Sequence, residues 1–374
     1  MPQAVRPTPE LLADLRRPRP YPAVSVTLLT HRHRPENQQD HIRLRQLLDE
    51  AGKRLADDPE VPRDTRLAVA GHLQKAGEEL DPETFLDGLV LYASADEHRA
   101  YRVGAEVPDR IVLGTTYLTR NLVAAEARQR PYWVLVLGED EVRLWHGRGS
   151  QVAEASDAGF PVRSPAEDRD GPITREGGGL GVSQDVRSMF QQADDLLAAA
   201  LAGRAEPVVL VGLRPQIAFF RSVTRHTEHI GAELDKGGMQ HTTPAEFAAE
   251  LAPARAQLTA TRGAAALAEL DAARSGRRYA GGVQDVWMPA HEGRVAHLVV
   301  EEGLRITARP QSAEGIDRAS LDIVDGNGSA PRDGVEDDIV DSLVEAVLDA
   351  DGAVDFVPDG TLADAGGIAA ALRY

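Results

Sequence analysis

Residues 174–213 read TREGGGLGVSQDVRSMFQQADDLLAAALAGRAEPVVLVGL, and three kinds of local structure succeed one another within them. Val186, Met189, Phe190, Ala193, Leu196, Leu197, Ala200 and Leu201 recur at intervals of three and four, which puts them on one face of a helix. Ser183 is placed to cap that helix, because its hydroxyl can accept an orphan N–H, and Gly203 is placed to end it in the left-handed conformation. Residues 207–213 form a continuous apolar run of strand length, the pattern of a strand covered on both faces. Gly177, Gly178, Gly179 and Gly181 precede the helix, so a glycine-rich loop is mounted on a helix-and-strand support.

Consecutive backbone N–H groups ahead of a helix can cradle phosphate. The same loop can equally be a plain surface connection. No Lys-Ser/Thr pair follows the glycines, which excludes the P-loop of nucleotide hydrolases. The dinucleotide fingerprint is excluded too, because that loop leaves a strand directly, whereas residues 155–175 are polar and irregular.

Upstream of the loop, residues 132–137, 142–146 and 151–155 have strand character and are joined by turns at 138–140 and 147–149. Three antiparallel strands, a long helix and a buried strand are the element string of an RNase H-like domain. Nearer the start, a short helix at 9–15 precedes an alternating β-branched strand at 23–29. That strand empties into His31, Arg32, His33 and Arg34, the most basic spot in the chain. Helices at 36–56, carrying Arg43, and at 63–80 follow, then a hairpin of 88–93 with 98–103 and a helix at 117–129. Downstream, 216–225 is helical, and Thr243-Pro244-Ala245-Glu246 is a capping box opening a helix to about 270. Residues 274–282, rich in Arg and Gly, read as a linker. Beyond it, helices at 283–289 and 335–348 alternate with strands at 295–300, 353–357 and 368–374 as a small α/β sandwich. The fold class is therefore α/β (α+β) in three domains, at 1–128, 129–275 and 276–374.

A chain of 374 residues is long enough for two or three domains. Its 59 acidic residues against 41 basic ones give a net charge of -18, so nucleic-acid binding needs a local basic face. His31, Arg32, His33, Arg34 and Arg43 are the candidates, with a merely solvated charged surface as the alternative. The absence of cysteine removes disulfides, thiolate catalysis and cysteine-ligated zinc. His226 and His229 have a spacing that metal ligation with His241 allows, although histidines at helix ends are common, and no metal or other cofactor is expected. Trp133, Trp145 and Trp287 are expected in cores. The start of the chain lacks the apolar core of a signal peptide and no apolar run approaches a membrane span, so a cytoplasmic protein without a membrane partner is expected.

Val24-Ser25-Val26-Thr27-Leu28-Leu29-Thr30-His31-Arg32 with Pro35-Glu36, Gln39-Asp40, Ile42-Arg43-Leu44 and Leu47-Leu48 resembles the opening of a known family. Ala290-His291-Glu292-Gly293-Arg294-Val295 and the closing Ala369-Ala370-Ala371-Leu372-Arg373-Tyr374 resemble its ending. That family comprises the bacterial paralogues of the archaeo-eukaryotic peptide chain release factor and of Pelota, in the group called family 3.

The resemblance implies a three-domain protein that enters the ribosomal A site, with the C-terminal sandwich similar to the kink-turn-binding ribosomal-protein fold. In the family, a Gly-Gly-Gln loop on the RNase H-like domain reaches the peptidyl transferase centre and positions the water that hydrolyses peptidyl-tRNA. Here Gly177, Gly178, Gly179 and Gly181 occupy the equivalent place, and the nearest glutamine is Gln184. The catalytic residue of the family is thus missing, and no catalytic residue is assigned. The implied partners are the ribosome, through rRNA and P-site tRNA, and a translational GTPase or elongation factor. The expected role is non-hydrolytic A-site binding in ribosome rescue, stress or hibernation. Active peptidyl-tRNA hydrolysis is one alternative; an RNase H-like nuclease or an acidic interaction scaffold is another.

Overall fold

The computed structural model describes residues 5, 7–32, 34–164, 184–239, 242–311, 320–324, 335 and 338–374. They fall into two compact units, one of residues 1–128 with 263–374, the other of 129–262. The fold class is mixed α/β with several separate sheets, as the sequence implies.

The N-terminal segment contains α1 (Pro9–Leu15), β1 (Ala23–Leu29), α2 (Asp40–Asp57), α3 (Arg63–Glu78), β2 (Gly88–Ala93), β3 (His98–Val103), β4 (Arg110–Gly114) and α4 (Arg120–Arg128). Its sheet is antiparallel in the order β3-β2-β1-β4. The alternation in β1 decides the layering. Val24, Val26 and Leu28 bury with Leu44, Leu55, Val69 and Leu73 of α2 and α3. Ser25 and Thr27 point the other way, where Ser25 Oγ accepts the N–H of Leu118 at 2.9 Å and Thr27 Oγ1 accepts from Asn121 at 3.2 Å. β4 is not apparent in the sequence, because only Ile111, Val112 and Leu113 carry its pattern. The helix expected at 117–129 begins at Arg120, and the N–H groups of Leu118 and Thr119 just ahead of it go to the side chains of Ser25 and Asp341.

The second unit runs β5 (Pro131–Leu137), β6 (Glu141–Arg148), β7 (Gln151–Glu154), β8 (Val162–Arg163), α5 (Gln184–Leu201), β9 (Val208–Gly212), α6 (Arg214–Val223), β10 (Ile230–Asp235), α7 (Pro244–Glu250) and the start of α8 (Ala252–Ser275). The sheet order is β10-β9-β5-β6-β7, with β8 on β6; β10, β9 and β5 are parallel and the meander is antiparallel. β9 is buried on both faces. Val208 and Leu210 join Met189, Phe190 and Leu197 of α5 and Phe220 of α6, while Val209 and Val211 join Phe247, Leu251 and Ala254. The expected helix face on α5 is the face that packs. The single helix expected from 243 to 270 is two, because Pro253 has no N–H to continue the ladder; Thr243 and Glu246 form the capping box at the first. β10, an edge strand, is not among the expected strands, although Ile230, Ala232 and Leu234 alternate along it.

The remaining segment holds the end of α8, then β11 (Tyr279–Gly281), α9 (Val283–His291), β12 (Val295–Glu301), β13 (Ala308–Gln311), β14 (Ser320–Ile323), α10 (Ile339–Asp349), β15 (Ala353–Val357) and β16 (Ile368–Leu372). The main sheet has the order β11-β16-β12-β15, and β13 pairs with β14. α9 and α10 cover one face through Trp287, Leu343 and Val347; Ala266, Leu270 and Ala273 of α8 cover the other. Residues 274–282, expected to be a linker, are the last turn of α8, a tight turn and β11. Trp133, Trp145 and Trp287 are all buried, as expected.

Candidate functional site

Gln184 is the first residue of α5 and is exposed there. The helix behind it is firmly seated, since Met189, Phe190, Ala193 and Leu197 are at most 1 % exposed and Phe190 meets Phe219 and Phe220 at ring centroid distances of 5.8 Å. At its far end Gly203 takes φ 72°, the left-handed stop expected of it. Gly177, Gly178, Gly179, Gly181 and Ser183 lie outside the described residues.

In the other unit, four of the five basic candidates meet carboxylates. Arg32 donates through Nε and Nη2 to the two oxygens of Asp87 at 2.6 and 2.7 Å, a bidentate pair. His31 Nδ1 lies 3.2 Å from the buried Asp40, which also accepts the His31 backbone N–H at 2.7 Å. Arg43 donates to Asp40 at 3.2 Å, to Asp109 at 2.7 Å and to the Leu29 carbonyl at 2.9 Å. Arg34 reaches Glu83 at 2.9 Å, but both side chains are about 70 % exposed, so solvent weakens that pair. His33 lies outside the described residues. The loop is therefore a charge network rather than a bare positive face. Arg34 is its most accessible cation among the four described, and Arg32 is fixed in direction by Asp87.

Arg43 also lines a cleft of about 420 Å³, where Asp109, Asn121, Arg128, Glu302 and Asp359 contribute both signs of charge. One wall of it leads to a buried ionic cluster that the sequence did not disclose. Arg120, fully buried, pairs with Asp338 at 2.8 Å, and Arg110 reaches the same carboxylate at 3.3 Å. Asp341 accepts the backbone N–H groups of Thr119 and Arg120, and Glu345 accepts from Thr119 Oγ1 at 2.9 Å. Burial, aided by the Asp338 charge, pushes the Asp341 carboxyl up to about 6. Burial and the Asp341 charge push Glu345 up to about 9. Burial likewise lowers Arg110 to about 10. Arg120 and Asp338 are 218 positions apart, a separation that no local pattern can signal.

His226 and His229 have ring centroids 6.3 Å apart, and His241 lies outside the described residues. Among the described residues there is no group of three or more His, Asp or Glu side chains disposed to hold a metal ion. On the β5–β10 sheet the carboxylates of Glu141 and Glu154 both face Arg143 at 3.2 Å. Both carboxylates are thus engaged by one guanidinium. No helix among the described residues is long and apolar enough to cross a membrane.

Residues 131–294 match the profile of bacterial archaeo-eukaryotic release factor family 3. That part of the chain is similar to the family. The match includes the glycine-rich stretch and ends at Arg294, within the Ala290–Val295 run that carries part of the sequence resemblance. No curated protein matches the chain. Among solved structures, the archaeal translation termination factor aRF1 aligns at 16 % identity over 98 % of this chain and 96 % of its own, with a TM-score of 0.24. Pelota of Archaeoglobus fulgidus aligns at 16 % identity over 76 % and 79 %, with a TM-score of 0.38. Dom34 of S. cerevisiae, described as a translation termination-like factor interacting with Hbs1, aligns at 10 % over 76 % and 80 %, with a TM-score of 0.39.

Proposed function

We propose that this release-factor relative is a ribosome-associated factor that occupies the A site without hydrolysing peptidyl-tRNA, serving rescue, stress or hibernation. The observation that carries this reading is the position of Gln184. Hydrolysis at the acceptor end needs a group that orients water against the ester and another that stabilises the developing oxyanion; loop amides can supply only the second. Gln184 begins α5, with its backbone committed to the helix, and a displacement of about 1 Å costs on the order of a hundredfold in rate. The glycine loop then acts as a probe of the acceptor-end pocket. The ribosome is the proposed partner, through rRNA and P-site tRNA, with a translational GTPase or elongation factor alongside it.

Two measurements test this. The protein is expected to sediment with 70S ribosomes in a salt-sensitive manner. It is expected to release little labelled peptide from a defined ribosome complex, with Gln184→Ala indistinguishable from the parent. Absence of sedimentation removes the ribosome; robust release that disappears in Gln184→Ala removes the non-hydrolytic role.

A further inference from the structure

The Arg- and Gly-rich run 274–282 forms part of a sheet edge. β11 begins at Tyr279 opposite Ala371 of β16, and β12 begins at Val295 opposite Leu372. The starts of β11 and β12 and the end of β16 therefore lie at the same edge of the sheet. Two backbone contacts fix the register there: Leu372 N–H donates to the Arg278 carbonyl at 2.7 Å, and Arg373 N–H donates to the Arg294 carbonyl at 2.9 Å. Neighbouring strands are about 4.8 Å apart, so Arg278, Arg373 and Arg294 are brought within about 10 Å of strand spacing from one another. The C-terminus of α8 adds Arg274 and Arg277.

These cations stand out in a chain of net charge -18. Arg277 and Arg278 are exposed and have no side-chain partner among the described residues. Arg274 has its guanidinium 4.4 Å from the centroid of the Tyr279 ring, with Asp271 and Asp364 in its field. Arg294 pairs with Glu292 at 3.0 Å and lies 5.4 Å from the centroid of Tyr374, a ring that is 73 % exposed. Arg373 donates to the Ala350 carbonyl at 2.5 Å. Two of the five guanidiniums, those of Arg274 and Arg294, thus lie over tyrosine rings.

The backbone holds Arg277 and Arg278 in a fixed turn. Arg278 N–H donates to the Ala273 carbonyl at 2.8 Å and Arg277 N–H to the Arg274 carbonyl at 3.2 Å, the pattern of a Schellman stop, with Arg277 at φ 57°. Glycine is the usual occupant of that left-handed position, and a glycine is available one residue earlier at Gly276. Arg277 thus takes a position that favours glycine, as Asp351 does at φ 55° after α10.

We infer that this strand-end edge, built from Arg274, Arg277, Arg278, Arg294 and Arg373 with Tyr374, binds the phosphate backbone of RNA. Guanidinium forks suit phosphate oxygens, and an exposed ring beside them offers a stacking face for a base, which an acidic protein surface would not use. The edge shares no residue with the glycine-rich stretch or with the β1–α2 loop, and it draws on the ribosome reading only for the source of the RNA.

The test uses the full chain, a labelled oligouridylate of about 16 nucleotides and an RNA duplex, with polyglutamate as competitor. The parent is expected to bind the oligouridylate with strong salt dependence. Arg277→Glu with Arg278→Glu should lower affinity on the order of tenfold or more and reduce the log–log salt slope by about 1.4, at roughly 0.7 per lost contact. Arg277→Gly should raise the melting midpoint by about 1–3 °C while weakening RNA binding, separating the side chain's binding role from its cost to the fold. No RNA binding by the parent, unchanged affinity in the charge-reversed protein, or competition by polyglutamate as tight as RNA would each overturn the assignment, the last in favour of an acidic protein partner. Loss of ribosome sedimentation with retained oligouridylate binding would count against the ribosome role and leave this surface standing.

Discussion

The carboxylate of Asp341 accepts the backbone N–H of Arg120 at 2.6 Å, so the first turn of α4 is capped by a side chain from α10. The same carboxylate takes the N–H of Thr119 at 3.1 Å. Two donors that a local Ser, Thr, Asp or Asn would ordinarily satisfy are thereby satisfied across 221 positions of sequence. The N-terminal and C-terminal segments are joined in one unit by a cap, and Arg120 with Asp338 completes the junction.

Replacing Asp341 by Ala should therefore destabilise this unit by about 2–3 kcal/mol, since it leaves two buried N–H groups without acceptors and Arg120 with less compensating charge. Asp341→Asn, which keeps an acceptor oxygen, should cost less. Urea denaturation with a probe in each unit checks both; an unchanged midpoint in the Ala variant would show the cap to be dispensable.

Glu345 gives the junction a pH dependence. Its ordinary value near 4.5 is raised to about 9 in the fold, so the protonated carboxyl is the form that folding favours. Its contribution is complete below about 4.5 and is lost progressively as pH rises through about 9; Asp341, raised to about 6, acts in the same direction over the lower part of that window. Glu345→Gln mimics the protonated group and should raise stability at neutral and alkaline pH while flattening the profile. Melting temperatures across the range between those two values test this, and an identical slope in parent and variant would exclude Glu345 as its source.

Phe190 anchors the helix that carries Gln184. It is fully buried between β-sheet residues and Phe220, and truncation to Ala should cost about 3–5 kcal/mol. Hydrogen exchange of α5 amides should rise in that variant while the other unit is unaffected. Equal protection in both proteins would show that α5 does not depend on this contact.

Arg32 has two competing uses. Bound to Asp87 it orders the β1–α2 loop; released it is available for phosphate. On the reading that the loop meets rRNA, Asp87→Asn should strengthen ribosome sedimentation a few-fold and Arg32→Glu should weaken it about tenfold. No change in either variant would remove Arg32 from the interface.

Much of the fold is legible in the sequence because it is local. The helix face of α5, the two-sided strand β9, the alternation of β1 and the capping box of Thr243 and Glu246 are each written in consecutive residues, and each packs as the spacing demands. Among the elements that escape such reading, β4 and β10 carry three apolar residues each and gain strand form from the neighbours they pair with, Ala23–Leu29 and Val208–Gly212, while β8, β11, β13 and β14 are only two to four residues long. Gln184 can be placed at a helix start from sequence because capping signals act over one turn.

The charged residues divide along the same line. From sequence, His31, Arg32, Arg34 and Arg43 are a basic run; in the fold, Asp40, Glu83, Asp87 and Asp109 arrive from other elements and turn that run into ion pairs. Arg277 and Arg278 look like linker residues until β11 pairs with β16 and brings Arg373 and Arg294 beside them. Periodicity and capping are short-range properties of the chain and mark most of its helices and strands, and composition alone sets its net charge. Which charges are neutralised, which remain free and which carboxylates hold their protons depends on distances of a few ångströms between remote residues, and only the tertiary structure sets those.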